Sequence, residues 1–299
     1  SSIIVKYLLQ LQTHFHVLIG GRRSIKEISM STFYNSERLK YNQMNYNNDV
    51  ELDNFCSQCL LVINAVGPSF KINDKIALHA LRNNCHYIDI GGYGILRDLL
   101  KPYEKSIEAQ KLCFIIGVGW MPGISGVFSK TIIETHLNSP ENTNFNIYYG
   151  AVDNWSYSST YDLAASSMGK TRSYVYSHGK EIQVSPFRYT HHKFFPFIGH
   201  KKICMPSFDE QLTQLATSLK QIRKISTFIM LNDYISMGKF MFIKIFYKHN
   251  LNKATLMLQD DYQRLVKKEN KWGSVICQVS KIEPERKIDT FYYLSLIHI

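Results

Sequence analysis

Residues 16–23 read HVLIGGRR. Four apolar or aromatic positions, His16 to Ile19, run through Gly20 and Gly21 into adjacent arginines, Arg22 and Arg23. The pattern predicts a buried strand whose carboxyl end carries two guanidinium groups. In a doubly wound α/β protein, that strand end reads the ribose of a bound dinucleotide. An acidic residue there accepts the ribose hydroxyls of NAD, whereas a guanidinium clasps a 2′-phosphate bidentately. The reading is therefore NADP, with Gly20, Arg22 and Arg23 as cofactor contacts. The alternative is a pair of surface arginines at a strand end.

Outward from this stretch the same pattern recurs. CLLVINAVGP (59–68) is an apolar run stopped by Gly67-Pro68, and CHYIDIGG (85–92) and LCFIIGVG (112–119) are two more short strands. Helical periodicity falls between them, in VELDNFCSQ (50–58), INDKIALHALRNN (72–84) and GILRDLLKPYEKSIEAQK (94–111), the last broken at Pro102. PGISGVFSKTIIETH (122–136) opens another helix, IIVKYLLQLQ (3–12) reads as the first, and SIKEI (24–28) as one short turn. A weak edge strand is expected around QMNYN (43–47). Strands alternating with helices predict a Rossmann-like doubly wound parallel sheet. In such sheets ligands bind beyond the strand ends, here GGRR, NAVGPS, DIGGY and GVGWMPG.

The polar stretch HLNSPENTN (136–144) suggests a boundary, giving domains 1–140 and 141–293. Beyond it the period changes. FNIYYGAV (145–152), TRSYVYS (171–177) and EIQVS (181–185) read as strands, with a hairpin turn at SHGKE. SSTYDLAASSMGK (158–170) and most of 207–268 read as helix, and SVICQVS with DTFYY as a final hairpin. The second domain is thus α+β. The tail LSLIHI (294–299) resembles a translated sequencing adapter and is left out of the fold reading.

The chain has 299 residues, enough for two domains. With 45% hydrophobic and 20% charged residues it has the composition of an ordinary globular protein. The net charge of +11 is scattered rather than blocked, which favours an anionic small molecule over nucleic acid. Of six cysteines only Cys56 and Cys59 are close, and no second CxxC follows at zinc spacing, so no metal is expected. A redox CxxC is the alternative to a helix end meeting a strand. No signal peptide opens the sequence and no apolar run reaches about 18 residues, so a reduced, cytoplasmic setting is expected. GKFMFIKIFYKHN (238–250) is basic and aromatic; it reads as core or homodimer interface, with a membrane surface as the alternative. Adjacent His191 and His192 point to opposite faces of a strand and read as surface positions rather than a metal pair.

These loops resemble the saccharopine dehydrogenase-like oxidoreductases. LVINAVGPSF…ALHALRNNCHYIDIGG is similar to that family's strand ending in Asn and VGP, the helix after it and HYVD. GVGWMPGISGVFSK is similar to its Pro-Gly loop, and WSYSSTYDLAASSMG to its GGT segment. The resemblance implies hydride transfer between NADP(H) and a small-molecule C=N, C=O or C=C substrate. It implies that the backbone of Asn64, Ala65, Val66, Gly67 and Pro68 faces the nicotinamide half, with Gly91 close by. Asp89 and Tyr93 are candidates for the proton donor, with a helix cap as the other reading of Asp89. Trp120, Met121 and Gly123 are candidates for the substrate contact, at a helix N-terminus offering free N–H groups. Relatives acting on amino acids often carry an acid where Met121 stands, so a more hydrophobic substrate, or a pocket that no longer works, is implied. The second domain is expected to cover nicotinamide and substrate.

The family begins with a strand and a glycine-rich loop. Arg22 falls 21 positions after Ser1, close to the spacing of about 20 between loop and ribose reader. The expectation is that this sequence starts just past those glycines and lacks the first strand. A slot between HVLIGG and LLVINAV, low stability and weak NADP binding by the fragment follow from it. A non-catalytic dinucleotide-binding or interaction protein, and a membrane-associated relative, are the competing functions.

Overall fold

The computed structural model describes residues 2–11, 14–24, 36–91, 94–137, 140–169, 173–208, 210–247, 249–281 and 288–295. The chain forms two compact units, Ser1–Val66 with Lys71–Val118, and Gly67–Phe70 with Gly119–Ile299. Together they make a Rossmann-like α/β fold with a second α+β unit.

In the first unit, α1 (Ser2–Gln10) leads to β1 (Val17–Gly21), which pairs in parallel with β2 (Leu39–Gln43). Arg38 reaches back to the carbonyls of Leu8, Leu9 and Leu11 and satisfies the C-terminal end of α1. α2 (Asp49–Cys56) follows, then β3 (Leu61–Asn64), the short α3 (Ser69–Ile72), of which Ser69 and Phe70 belong to the second unit, α4 (Lys75–Arg82) and β4 (His86–Asp89). α5 (Gly94–Leu100) and α6 (Glu104–Ala109) flank a turn of 3₁₀ helix at Pro102, where the sequence places the break. β5 (Phe114–Ile115) completes a parallel sheet in the order β3-β4-β5. Among the described residues no ladder joins this sheet to β1–β2, so HVLIGG and LLVINAV lie in separate sheets.

The core of this unit joins Leu52 and Cys56 of α2, Ile76, Ala77 and Ala80 of α4, Val62 of β3 and Tyr87 of β4. The edge strand expected at 43–47 falls four residues earlier. Asn45 and Asn48 take the backbone out of the ladder: Asn45 Oδ1 accepts from the Asn47 N–H, and Asn48 Oδ1 caps α2. The turn read at SIKEI lies outside the described residues apart from Ser24.

The second unit opens with α7 (Ile124–His136), β6 (Thr143–Val152), α8 (Tyr157–Gly169) and the hairpin β7 (Ser173–Ser177) and β8 (Lys180–Val184). Next come α9 (Pro186–Tyr189), β9 (His191–Phe195), β10 (His200–Pro206), α10 (Glu210–Ser218) and β11 (Lys224–Leu231). α11 (Tyr234–Phe246), α12 (Leu251–Val266), β12 (Trp272–Lys281) and β13 (Ile288–Ser295) complete it. One eight-stranded mixed sheet runs β13-β12-β6-β11-β10-β9, with β7 and β8 branching from β11.

β11 corrects the reading of 207–268 as largely helical. It is parallel to β6 and antiparallel to β10, and nearly every position in it is buried. A strand covered on both faces shows a continuous apolar run, which periodicity cannot tell from a buried helix. α7 and α10 cover one face of the sheet through Ile132, Ile133, Leu212 and Ala216, and α8, α11 and α12 cover Ile203, Met205 and Leu231.

Candidate functional site

The carboxyl ends of β1, β3 and β4 gather the first-unit candidates. Gly20 sits under α2: a Cβ there would meet Met44 Sδ and Phe55 Cε2 at 2.9 Å. The backbone turns back on itself past this point. The Gly21 carbonyl accepts from the Met44 N–H (2.8 Å), the Arg22 carbonyl from Gln43 Nε2 (3.2 Å), and the Arg23 carbonyl from the Tyr41 hydroxyl (2.6 Å). Both arginine side chains are exposed, and neither has an ion pair among the described residues. Arg22 lines a pocket of about 440 Å³ with Gln43, Met44, Asn45 and Glu51. Glu51 is occupied there: its carboxylate takes the Asn45 N–H and the Asn48 side-chain amide, both at 2.7 Å. That is a capping arrangement at the start of α2.

Asn64 and Asp89 stand opposite each other in the β3–β4 register. The Asp89 carboxylate is buried and accepts from the Tyr87 hydroxyl (2.5 Å) and Asn64 Nδ2 (2.8 Å). Asn64 Oδ1 accepts from the Val66 N–H (3.0 Å), which shapes the turn after β3. Ala65 and Val66 are exposed beyond it, and Gly91 is half-buried beyond β4. Burial, then the neighbouring Asp89 charge, pushes the Tyr87 phenol well above its usual range, so it stays a donor. Tyr93 lies outside the described residues. Tyr87 was missed in the sequence, although its i, i+2 spacing from Asp89 in a strand puts both on one face.

The remaining candidates belong to the second unit. Gly67 precedes a cis Pro68, and a Cβ on it would meet Ser158 Cβ at 2.8 Å. The N–H groups of Ser69 and Phe70 both donate to the Asp162 carboxylate of α8, at 2.9 and 3.1 Å. Gly123 takes φ 127°, a conformation open to glycine and strained for other residues. The free N–H groups expected at the start of α7 are taken. Gly123 N–H donates to Gln211 Oε1 (2.9 Å), Ile124 N–H to the Gly119 carbonyl and Ser125 N–H to the Trp120 carbonyl. Gln211, from α10, was missed because nothing in the sequence brings it against a partner 88 residues away. Trp120 and Met121 pack against the hydrophobic core of this unit.

Other sequence features resolve around the site. Burial pushes the Cys56 thiol up to about 12 and raises Cys59 and Cys85 as well, which disfavours the thiolate a redox CxxC needs. Among the described residues no cluster of three His, Cys, Asp or Glu is arranged to hold a metal, and no helix is long and apolar enough to cross a membrane. His191 packs edge-on against Tyr148 and Phe228, whereas His192 is exposed and bonds the Tyr234 hydroxyl, so only one of the pair is a surface residue.

The fold is a Rossmann-like α/β unit with a second α+β unit. Among solved structures the chain is similar to apo saccharopine dehydrogenase (L-Glu forming) from Saccharomyces cerevisiae, at 14% identity over 98% of this chain and 82% of that one, with a TM-score of 0.66. The shared fold agrees with the resemblance read from the loop motifs. Lower-scoring matches include an oxidoreductase from Bacillus subtilis (8% identity, 97% and 79% covered, TM-score 0.41). Biliverdin reductase with biliverdin and NADP⁺ from Synechocystis sp. PCC 6803 is another (9%, 92% and 84%, TM-score 0.35). No family model and no curated protein matches the sequence.

Proposed function

We propose that this chain is the dinucleotide-binding and substrate part of an NADP(H)-dependent oxidoreductase of saccharopine dehydrogenase type. The reaction is hydride transfer between NADP(H) and a C=N, C=O or C=C bond of a small molecule. The carrying observation is Arg22: an exposed guanidinium without an ion pair among the described residues, lining a pocket at the end of β1. Such a group suits the 2′-phosphate of NADP, with Arg23 beside it. Asn64, Ala65 and Val66 present backbone beyond β3, where the nicotinamide half would lie, with Gly91 beyond β4. The cofactor supplies the redox chemistry; the chain binds and orients it. In this reading Asp89 positions the ends of β3 and β4 through Tyr87 and Asn64, and Tyr93 remains the candidate proton donor. Trp120, Met121 and Gly123 are the candidate substrate contacts. A reduced cytoplasmic setting and a homodimer complete the proposal.

The test is a fluorescence titration of the full-length protein with NADPH and NADH, repeated on Arg22→Ala. Tighter NADPH binding in the wild type and at least about a tenfold loss confined to NADPH in the variant is the expected result. Equal affinities in both proteins would reject Arg22 as the phosphate contact.

A second reading has its own observation. Trp120 and Met121 are packed on the core of the second unit, which suits a dinucleotide-binding protein that has no turnover. Cofactor binding with no turnover of a panel of carbonyl and imine substrates would favour it.

A further inference from the structure

The sheet face opposite the helices is covered by its own edge. β9 sends Phe195 and His191 onto Tyr148 of β6, with ring centroids 5.4 and 6.0 Å apart, and His191 onto Phe228 of β11 at 4.9 Å. Lys193 of the same strand reaches Gln278 of β12, and its Nζ lies 4.7 Å from the Tyr148 ring centre. The β9–β10 hairpin therefore curls over the face, and Lys193 points into the fold of that curl.

The surroundings of Lys193 are unusual for a lysine. Its Nζ donates to Gln278 Oε1 and to the Tyr148 hydroxyl (3.4 Å), both neutral, and it has no ion pair with a carboxylate among the described residues. The residue directly opposite on β10 is another lysine, Lys202. Lys202 has taken the acid of the neighbourhood, with Glu269 at 2.7 Å and Asn232 Oδ1 at 2.8 Å. Like charges facing across a ladder disfavour each other. The remaining titratable groups facing Lys193 are the Tyr148 phenol, the Cys204 thiol and His191. Burial raises both the phenol and the thiol, so neither supplies a counter-charge near neutral pH. Half-burial without a carboxylate favours the free amine, and the ammonium of Lys193 is lowered from its usual range for that reason.

We propose that Lys193 is a preferred acylation site for small activated acyl donors, the chemical class of thioesters and anhydrides. The Nζ lone pair attacks the acyl carbon and the new N–C bond forms as the bond to the leaving thiolate or carboxylate breaks. The leaving group keeps the electron pair and the amine releases a proton to solvent. The adduct is neutral and leaves an amide N–H for Gln278. This assignment is independent of the dinucleotide reading, since it uses only the second unit.

The test is competitive trace labelling of the folded full-length protein with acetic anhydride between pH 6 and pH 11, read lysine by lysine by peptide mass spectrometry. Lys193 is expected to titrate below exposed lysines such as Lys105 and Lys180, and to react about threefold faster than they do at pH 8. The advantage is expected to vanish in urea, because it comes from the fold. Lys193→Arg should remove the fast-reacting peptide and leave the other rates unchanged. A Lys193 midpoint at or above that of the exposed lysines would overturn the assignment. So would slower labelling throughout the range, or an advantage that persists in urea.

Discussion

Asp89 shows how far a single residue can be read. A carboxylate in an apolar run must find partners, and that much is visible in CHYIDIGG. Which partners is not visible, because Asn64 is 25 residues away and only the β3–β4 register brings it opposite. The arrangement makes a definite prediction. Asp89→Leu leaves the buried Tyr87 hydroxyl without its acceptor and the Asn64 amide with the Tyr87 oxygen alone (3.1 Å), and should cost about 2–4 kcal/mol by urea unfolding. Tyr87→Phe, which removes a donor but leaves Asn64 paired, should cost less. A second residue-scale prediction concerns acid. The hydrogen bond from His79, itself buried, holds the Asp53 carboxyl below its usual range, with Asn83 adding to it. A lowered folded value adds stability that is complete above the unfolded pKa of about 4 and is lost as pH falls through the folded value. Urea midpoints should therefore drop between pH 6 and pH 3. His79→Gln should shrink that drop without abolishing it, because Asp233 is held low in the same way by Arg264. An unchanged drop in the variant would mean that the Asp53–His79 contact carries no linkage.

Among the elements, the strands of the parallel sheet were legible because each is short, apolar and stopped by glycine or proline. β11 was not, and neither was β10; of β9 only His191 and His192 were read as strand. KISTFIML has no alternation because both its faces are covered, and its parallel neighbour β6 comes from a distant part of the sequence. α11 was recognised by composition but not by what it faces. Phe240 and Ile243 enter the core while Ile235, Phe242, Ile245 and Phe246 remain exposed. Its attachment depends on polar contacts at its start. Asp233 caps it through the Ser236 N–H, and Arg264 of α12 binds Asp233 at 2.6 and 2.9 Å and Asp261 at 2.9 Å. Arg264→Met should destabilise the protein by about 2–4 kcal/mol, since it leaves the buried Asp261 with Lys239 and Ser236 alone. Arg264→Lys should recover only part of this, because one ammonium cannot span two carboxylates. Full recovery by lysine would show that charge alone, not the forked geometry, holds α11 to α12.

At the scale of the whole molecule the relevant quantity is charge. Lysine and arginine outnumber aspartate and glutamate 35 to 24, and the excess is spread along the chain. A scattered positive field raises the local concentration of any anion and decays over about 8 Å at physiological salt. It favours NADPH over NADH only modestly, through the charge of one more phosphate on the adenosine ribose. Sharper discrimination needs a contact at that phosphate, and in the proposed reading Arg22 with Arg23 makes it. The two contributions separate by salt. Raising ionic strength from about 50 to about 300 mM should weaken both cofactors through the general field. NADPH should weaken by several-fold more, because its additional phosphate meets exposed guanidiniums that solvent ions can screen. In Arg22→Ala the salt dependence of NADPH should fall toward that of NADH. Titrations at three salt concentrations, on wild type and variant, decide the matter. If both cofactors respond to salt equally in the wild type, the arginines at the end of HVLIGG are surface charge, and the preference for the phosphorylated cofactor must be given up.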